Sequence, residues 1–194
     1  MHLPLASLAL AMAGRAAAQD HTLGFIGCSM AENVATGYVA AGGQRMWGPY
    51  GTGGAVVQSW TNSASASWRS FDAQAAKYGL PTAVWVQICI FAQAGVSYDE
   101  VNQLIANARE HAAPDAEIYI SGQPLYEGGA TCFLAGQGGA ELTDEMAARA
   151  GEDEALNVTY VGKFWLGNVE VADGCHANAA GLTALGAQAL EIFG

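Results

Sequence analysis

The chain has 194 residues, 52% apolar and 13% charged, enough material for one domain with a substantial core, which excludes the disordered class. A formal charge of −11 opposes approach to nucleic acid phosphates or an anionic membrane surface and leaves neutral or cationic partners.

The opening stretch MHLPLASLALAMAGRAAAQD has an apolar run from Leu3 to Gly14, followed by Ala16 and Ala18 in the A-x-A pattern of a signal-peptidase site. Residues 1–18 are therefore expected to be a signal peptide, with a mature chain from Gln19 that is secreted or periplasmic. The positive charge usual before such a run is missing, since only His2 stands there. No later segment approaches ~20 uninterrupted apolar residues, so no stable membrane insertion is expected.

TLGFIGCS then reads as a short buried strand, and MAENVATGYVAA as a helix running to the Gly42-Gly43 stop. The next region is rich in glycine and aromatics, with AVVQSW as a candidate second strand. SASWRSFDAQAAKYG predicts a helix ended by Gly79 and Pro81. TAVWVQICIF carries the strongest strand signal, because β-branched and aromatic residues run without a charge and imply burial on both faces. A helix over 97–111 follows, with Ser97 and Glu100 in capping-box spacing. AEIYIS is a fourth strand, a Gly-rich loop leads to a helix over 142–150, and NVTYV is a fifth strand. KFWLGNVEVADGCH is a loop or short strand, and ANAAGLTALGAQALEIF a closing helix. Strands alternating with helices predict a single α/β domain over 19–194, with a parallel sheet of about five strands covered on both faces.

The four cysteines, Cys28, Cys89, Cys132 and Cys175, form no C-x-x-C pair, which argues against zinc and for an oxidising compartment where two disulfides have three connectivities. Cys132 and Cys175 lie in predicted loops and are the favoured pair. Scattered acidic residues and few histidines imply no metal and no organic cofactor.

Ser29 stands at the end of the first strand, where ligands bind in open α/β sheets. A serine hydroxyl needs a base within hydrogen-bond reach. His21 lies near the mature terminus and His111 at the end of a surface helix. His176, in the polar loop DGCHANAAG, has Asp173 three residues upstream, a carboxylate able to fix its tautomer. Taken alone, Ser29 could instead cap the first helix, with Glu32 completing the box, and Asn178 could simply cap the last.

Gly27-x-Ser29 after the first strand, with Asp173-x-x-His176-x-Asn178-x-x-Gly181 before the final helix, resembles the SGNH (GDSL-type) hydrolase family of lipases and esterases. The resemblance implies a three-layer, flavodoxin-like sandwich, Ser29 as nucleophile, His176 as general base and Asp173 as its orienting carboxylate. It also implies an oxyanion hole made by the Ser29 N–H, a glycine N–H and an asparagine amide. Gly54 is the candidate glycine. The family's Gly-x-Asn-Asp block is missing, since the chain reads ICIFAQAG there; Gln93 and Gln123, ahead of Gln87, are the candidate replacements. Cys28 replaces the aspartate that the family places before its serine.

Trp47, Tyr50 and Trp60 crowd the glycine-rich region and are candidates for lining a substrate cleft, with core packing as the competing reading. The expected function is a secreted serine esterase acting on short acyl or acetyl esters, of a small molecule or a polysaccharide. A non-catalytic extracellular module that binds a glycan or polymer is the alternative.

Overall fold

The computed structural model describes residues 20–129 and 131–194; the expected signal peptide lies outside the described residues. In chain order the elements are β1 (Leu23–Ile26), α1 (Ser29–Ala40), α2 (Val57–Trp60), α3 (Ala66–Tyr78), β2 (Ala83–Gln87), α4 (Tyr98–Glu110), β3 (Glu117–Ser121), β4 (Leu125–Tyr126), α5 (Gly139–Glu152), β5 (Thr159–Tyr160), β6 (Trp165–Leu166) and α6 (Ala179–Phe193). β1 and β2 are buried at every residue, as their uncharged sequences require for strands covered on both faces.

The main sheet is parallel, in the order β1-β2-β3-β5. Its register aligns Phe25, Trp85 and Tyr119 across three strands. Because side chains alternate between faces, these three point one way, toward α6, whose Phe193 packs on Trp85 and Tyr119. Gly24 points the other way, where Phe71 of α3 comes within 3.1 Å of the space a Cβ would occupy. α4 and α5 also pack on the sheet, α4 against β2 and β3 and α5 against β3 and β5. α1 and α6 lie against each other, their backbones touching at Gly37 and Gly186. A Cβ at Gly186 would collide with the Gly37 carbonyl oxygen.

Two expectations about strands are corrected. AVVQSW is not a strand but the short helix α2. Its buried residues Val57 and Trp60, three apart, share one face of a helical turn, whereas alternation would have separated them. The main sheet therefore has four strands rather than five. The place of a fifth, outside β1, is taken by one parallel bridge, Leu23 to Met46, held by Leu23 N–H to the Arg45 carbonyl (2.9 Å) and Trp47 N–H to the Leu23 carbonyl (3.0 Å). The chain thus steps outward from β1 to this bridge and then back past β1 to β2, so that its direction across the sheet reverses beside β1. β4 and β6 form a separate parallel pair.

Both disulfides join loops that follow strands. Cys132 pairs with Cys175, as expected from their loop positions, and Cys28 pairs with Cys89. Cys28 and Cys89 follow the neighbouring strands β1 and β2, so the sheet itself brings them together. Two disulfides are consistent with an oxidising extracellular or periplasmic setting. No described helix is long and apolar enough to cross a membrane.

Candidate active site

The turn from β1 into α1 is built on Gly27, whose φ of +149° lies outside the range most side chains adopt. A Cβ there would stand 2.8 Å from that of Ala31 and 3.0 Å from that of Gln87. Cys28 occupies the N-cap of α1 without a side-chain capping bond, so Ser29 is the first helical residue and does not cap it. Its hydroxyl turns instead toward the other end of the chain, where Ser29 Oγ lies 2.8 Å from His176 Nε2.

His176 is delivered by a tight hairpin. Val171 and Ala177 form an antiparallel bridge, the Ala172 N–H donates to the His176 carbonyl (2.8 Å), and Gly174 turns the loop at φ +80°. Within that loop Asp173 is surrounded by donors. Its Oδ1 accepts the backbone N–H of His176 (2.8 Å) and of Cys175 (3.1 Å), and its Oδ2 lies 2.8 Å from His176 Nδ1. Those bonds, from the His176 N–H first and its ring second, lower the Asp173 pKa from 3.8 to about 2. The ionised carboxylate can only accept, so the ring proton belongs on Nδ1 and Nε2 presents its lone pair to Ser29.

Four ties hold the hairpin in place. Cys175 is bridged to Cys132, and its carbonyl accepts the Tyr126 hydroxyl. Burial, then the Asp173 charge, pushes the Tyr126 pKa up, so this phenol remains a donor. Asn33 of α1 accepts the Ala177 N–H (2.9 Å). Asn178 caps α6 by accepting the Ala180 and Gly181 N–H groups, and its amide donates to the Val169 carbonyl (2.8 Å). Gly181 is required because a Cβ would strike the Glu170 carbonyl oxygen.

Ser29 and His176 open on a cavity of about 280 Å³ lined by Met30, Gly54, Ile90, Phe91, Gln123, Leu134 and all four cysteines. The Ser29 and Gly54 amides make no hydrogen bond among the described residues, which leaves both free for a ligand. Ser29 N–H is free because first-turn helix amides have no intrahelical acceptor. Gln123 is buried, its backbone N–H held by Thr143 Oγ1 (2.9 Å) and its side-chain Oε1 accepting the Ile90 N–H (3.2 Å). With the carbonyl end occupied, the free end of the amide is the NH₂ donor.

The other candidates are distributed differently. Gln93 is exposed and does not line this cavity, and Gln87 is buried in β2 without a partner for either end of its amide. Trp47, Tyr50 and Trp60 are not cleft residues. Trp47 and Trp60 are buried in the core, and Tyr50 packs on Phe25 and bonds its carbonyl. The reason is the short excursion of residues 45–60 around the edge of β1, where Tyr50 covers Phe25, Trp47 covers Phe71 and Trp60 packs on Trp68. Trp60 donates its indole N–H to the carbonyls of Gly27 (3.2 Å) and Ala55 (3.1 Å), supporting the Ser29 turn from beneath. His111 is stacked on Trp68 and bonded to Asp72, and His21 is stacked on Tyr78. Neither lines the cavity with Ser29.

Sequence reasoning offered Glu32 only as part of a capping box, whereas it reaches the loop carrying Gly54. The signal available was its place one helical turn after Ser29. It also missed the apolar lining, because Met30, Ile90 and Leu134 come from three separate segments. Against protein-family models, curated proteins and solved structures, the chain finds no match.

Proposed function

We propose that this protein is a serine esterase with the three-layer, flavodoxin-like arrangement of the SGNH hydrolases, acting on esters of short acyl groups. The observation that carries the reading is the relay from Ser29 Oγ to His176 Nε2 and from His176 Nδ1 to Asp173, each step 2.8 Å, opening on an apolar cavity. In this reading His176 takes the Ser29 proton as Oγ attacks the ester carbonyl, and Asp173 stabilises the imidazolium that forms. The Ser29 and Gly54 N–H groups and the Gln123 amide receive the oxyanion, Gln123 replacing the family's asparagine. Collapse breaks the bond to the alcohol, which leaves with the proton from His176. Water, deprotonated in turn by His176, then releases the acid and restores Ser29. A cavity of about 280 Å³ is small among ligand pockets, and its apolar lining favours a short acyl chain. Reversal of chain direction beside β1 supports the placement, because such a switch point is where open sheets bind ligands.

Labelling the folded protein with a fluorophosphonate and mapping the modified peptide tests the reading. An adduct on Ser29 that both Ser29→Ala and His176→Ala abolish is the expected result. A folded chain that takes no label at Ser29 overturns the esterase reading and turns attention to glycan or polymer binding.

A further inference from the structure

The candidate oxyanion donor Gly54 stands in an exposed, glycine-rich loop, a poor place for a backbone amide that must be aimed to a fraction of an ångström. One side chain compensates. Glu32 Oε1 accepts three consecutive backbone N–H groups of this loop, those of Tyr50 (3.1 Å), Gly51 (2.5 Å) and Thr52 (2.8 Å). Successive N–H groups converging on one anionic oxygen form a nest, and each bond is strengthened by the charge. The Thr52 hydroxyl adds a fourth tie, to the Cys28 carbonyl (3.2 Å) immediately before Ser29. Beyond the clamp the chain has one short course to Gly54, which takes φ +77°, and then closes a turn with Ala55 N–H on the Thr52 carbonyl (2.9 Å).

Ser29 and Glu32 lie one turn apart on α1, a rigid element. Whatever moves the nucleophile moves the clamp with it. We infer that Glu32 is a positioning residue: it fixes the Gly54 N–H relative to Ser29 Oγ and thereby sets the competence of the oxyanion hole without touching substrate. This inference rests on the esterase reading of the site. Geometry, and not charge alone, carries the role, since the carboxyl must reach past its own helix to three amides at once. Glutamine keeps an acceptor oxygen at the same reach, whereas aspartate keeps the charge and loses one methylene of reach.

The test is the rate of fluorophosphonate labelling at Ser29, which needs no knowledge of the natural substrate, measured with thermal unfolding on the full chain. Glu32→Ala and Glu32→Asp are expected to slow labelling by about 10- to 100-fold, as misplacement of a catalytic group does. With p-nitrophenyl acetate they lower kcat by a similar factor and leave KM within about threefold, since an interaction used only in the transition state is lost. Glu32→Gln is expected to stay within about fivefold of the parent, because its carbonyl oxygen can accept the same N–H groups. Aspartate and glutamine carry the comparison if the alanine variant does not fold. Labelling of Glu32→Asp within threefold of the parent, or Glu32→Gln as slow as Glu32→Asp, overturns the clamp. A parent chain that takes no label at Ser29 overturns the esterase reading itself, an outcome distinct from both.

Discussion

The two halves of the candidate site are built on opposite plans. The base side is local: Asp173 and His176 lie within one five-residue hairpin, and the bonds that orient the imidazole come from neighbours in sequence. The oxyanion side is dispersed. Its proposed donors, the Ser29 and Gly54 amides and the Gln123 side chain, come from three segments, with Glu32 tying the loop that leads to Gly54 and Thr143 and Ile90 holding Gln123. A local plan writes itself into spacing, whereas a dispersed plan exists only once the chain is folded.

Substitutions separate the two plans by the size of their effect. Ser29→Ala and His176→Ala remove the proposed reacting groups, and p-nitrophenyl acetate hydrolysis should fall by about 10⁴- to 10⁶-fold with the circular dichroism spectrum unchanged. Asp173→Asn leaves the hairpin geometry but favours the wrong imidazole tautomer, so a drop of about 10²- to 10⁴-fold is expected. On the dispersed side, Gln123→Ala should cost about 10²- to 10³-fold in kcat with KM little changed. Gln123→Glu sharpens the point. It keeps a carboxyl oxygen for the Ile90 N–H but offers the oxyanion a second acceptor instead of a donor, and should be at least as slow as alanine.

Smaller effects bear on the same contrast. Trp47→Phe should leave the labelling rate of Ser29 within twofold, since the ring is in the core, and should lower the thermal midpoint through the lost bond from its indole to the His21 carbonyl. Acid offers the smallest signal. Because the Asp173 pKa is depressed in the folded chain, its stabilising contribution is present above 3.8 and is lost as pH falls through about 2. The carboxylate is half exposed, so solvent screens it and the contribution is small. The expected outcome is a slightly shallower fall of thermal midpoint with acid in Asp173→Asn than in the parent.

The same contrast explains what could be read in advance. Asp173 and His176 could be singled out because they stand three residues apart in one polar loop, Ser29 because it ends the first strand, and Gly27, Asn178 and Gly181 joined them through the resemblance to the SGNH motifs. The helices with local start and stop signals, such as α4 with its Ser97–Glu100 box, were legible too. Gln123 could not be ranked above Gln93 from sequence. Parallel neighbours β2 and β3 end side by side, with Gln87 paired to Ser121, so residues after either strand reach the same region. Only the packing of residue 123 against Thr143 of α5 decides between them. The aromatic cluster misled for a related reason. A run rich in Trp and Tyr looks the same whether it lines a cleft or wraps a sheet edge, and the single bridge at Met46 that makes it a wrap has no sequence signature.

The contact between Gly37 and Gly186 has a consequence for how the molecule comes into being. Ser29 and His176 are 147 residues apart, and the helices that follow them, α1 and α6, meet at that contact. A folding chain therefore brings the serine and the histidine together only once α6 has docked against α1. Ordering of the Ser29–His176 pair is thus coupled to the docking of α6 on α1, and a side chain at Gly186, which would strike the Gly37 carbonyl oxygen, would loosen the pair without touching either residue.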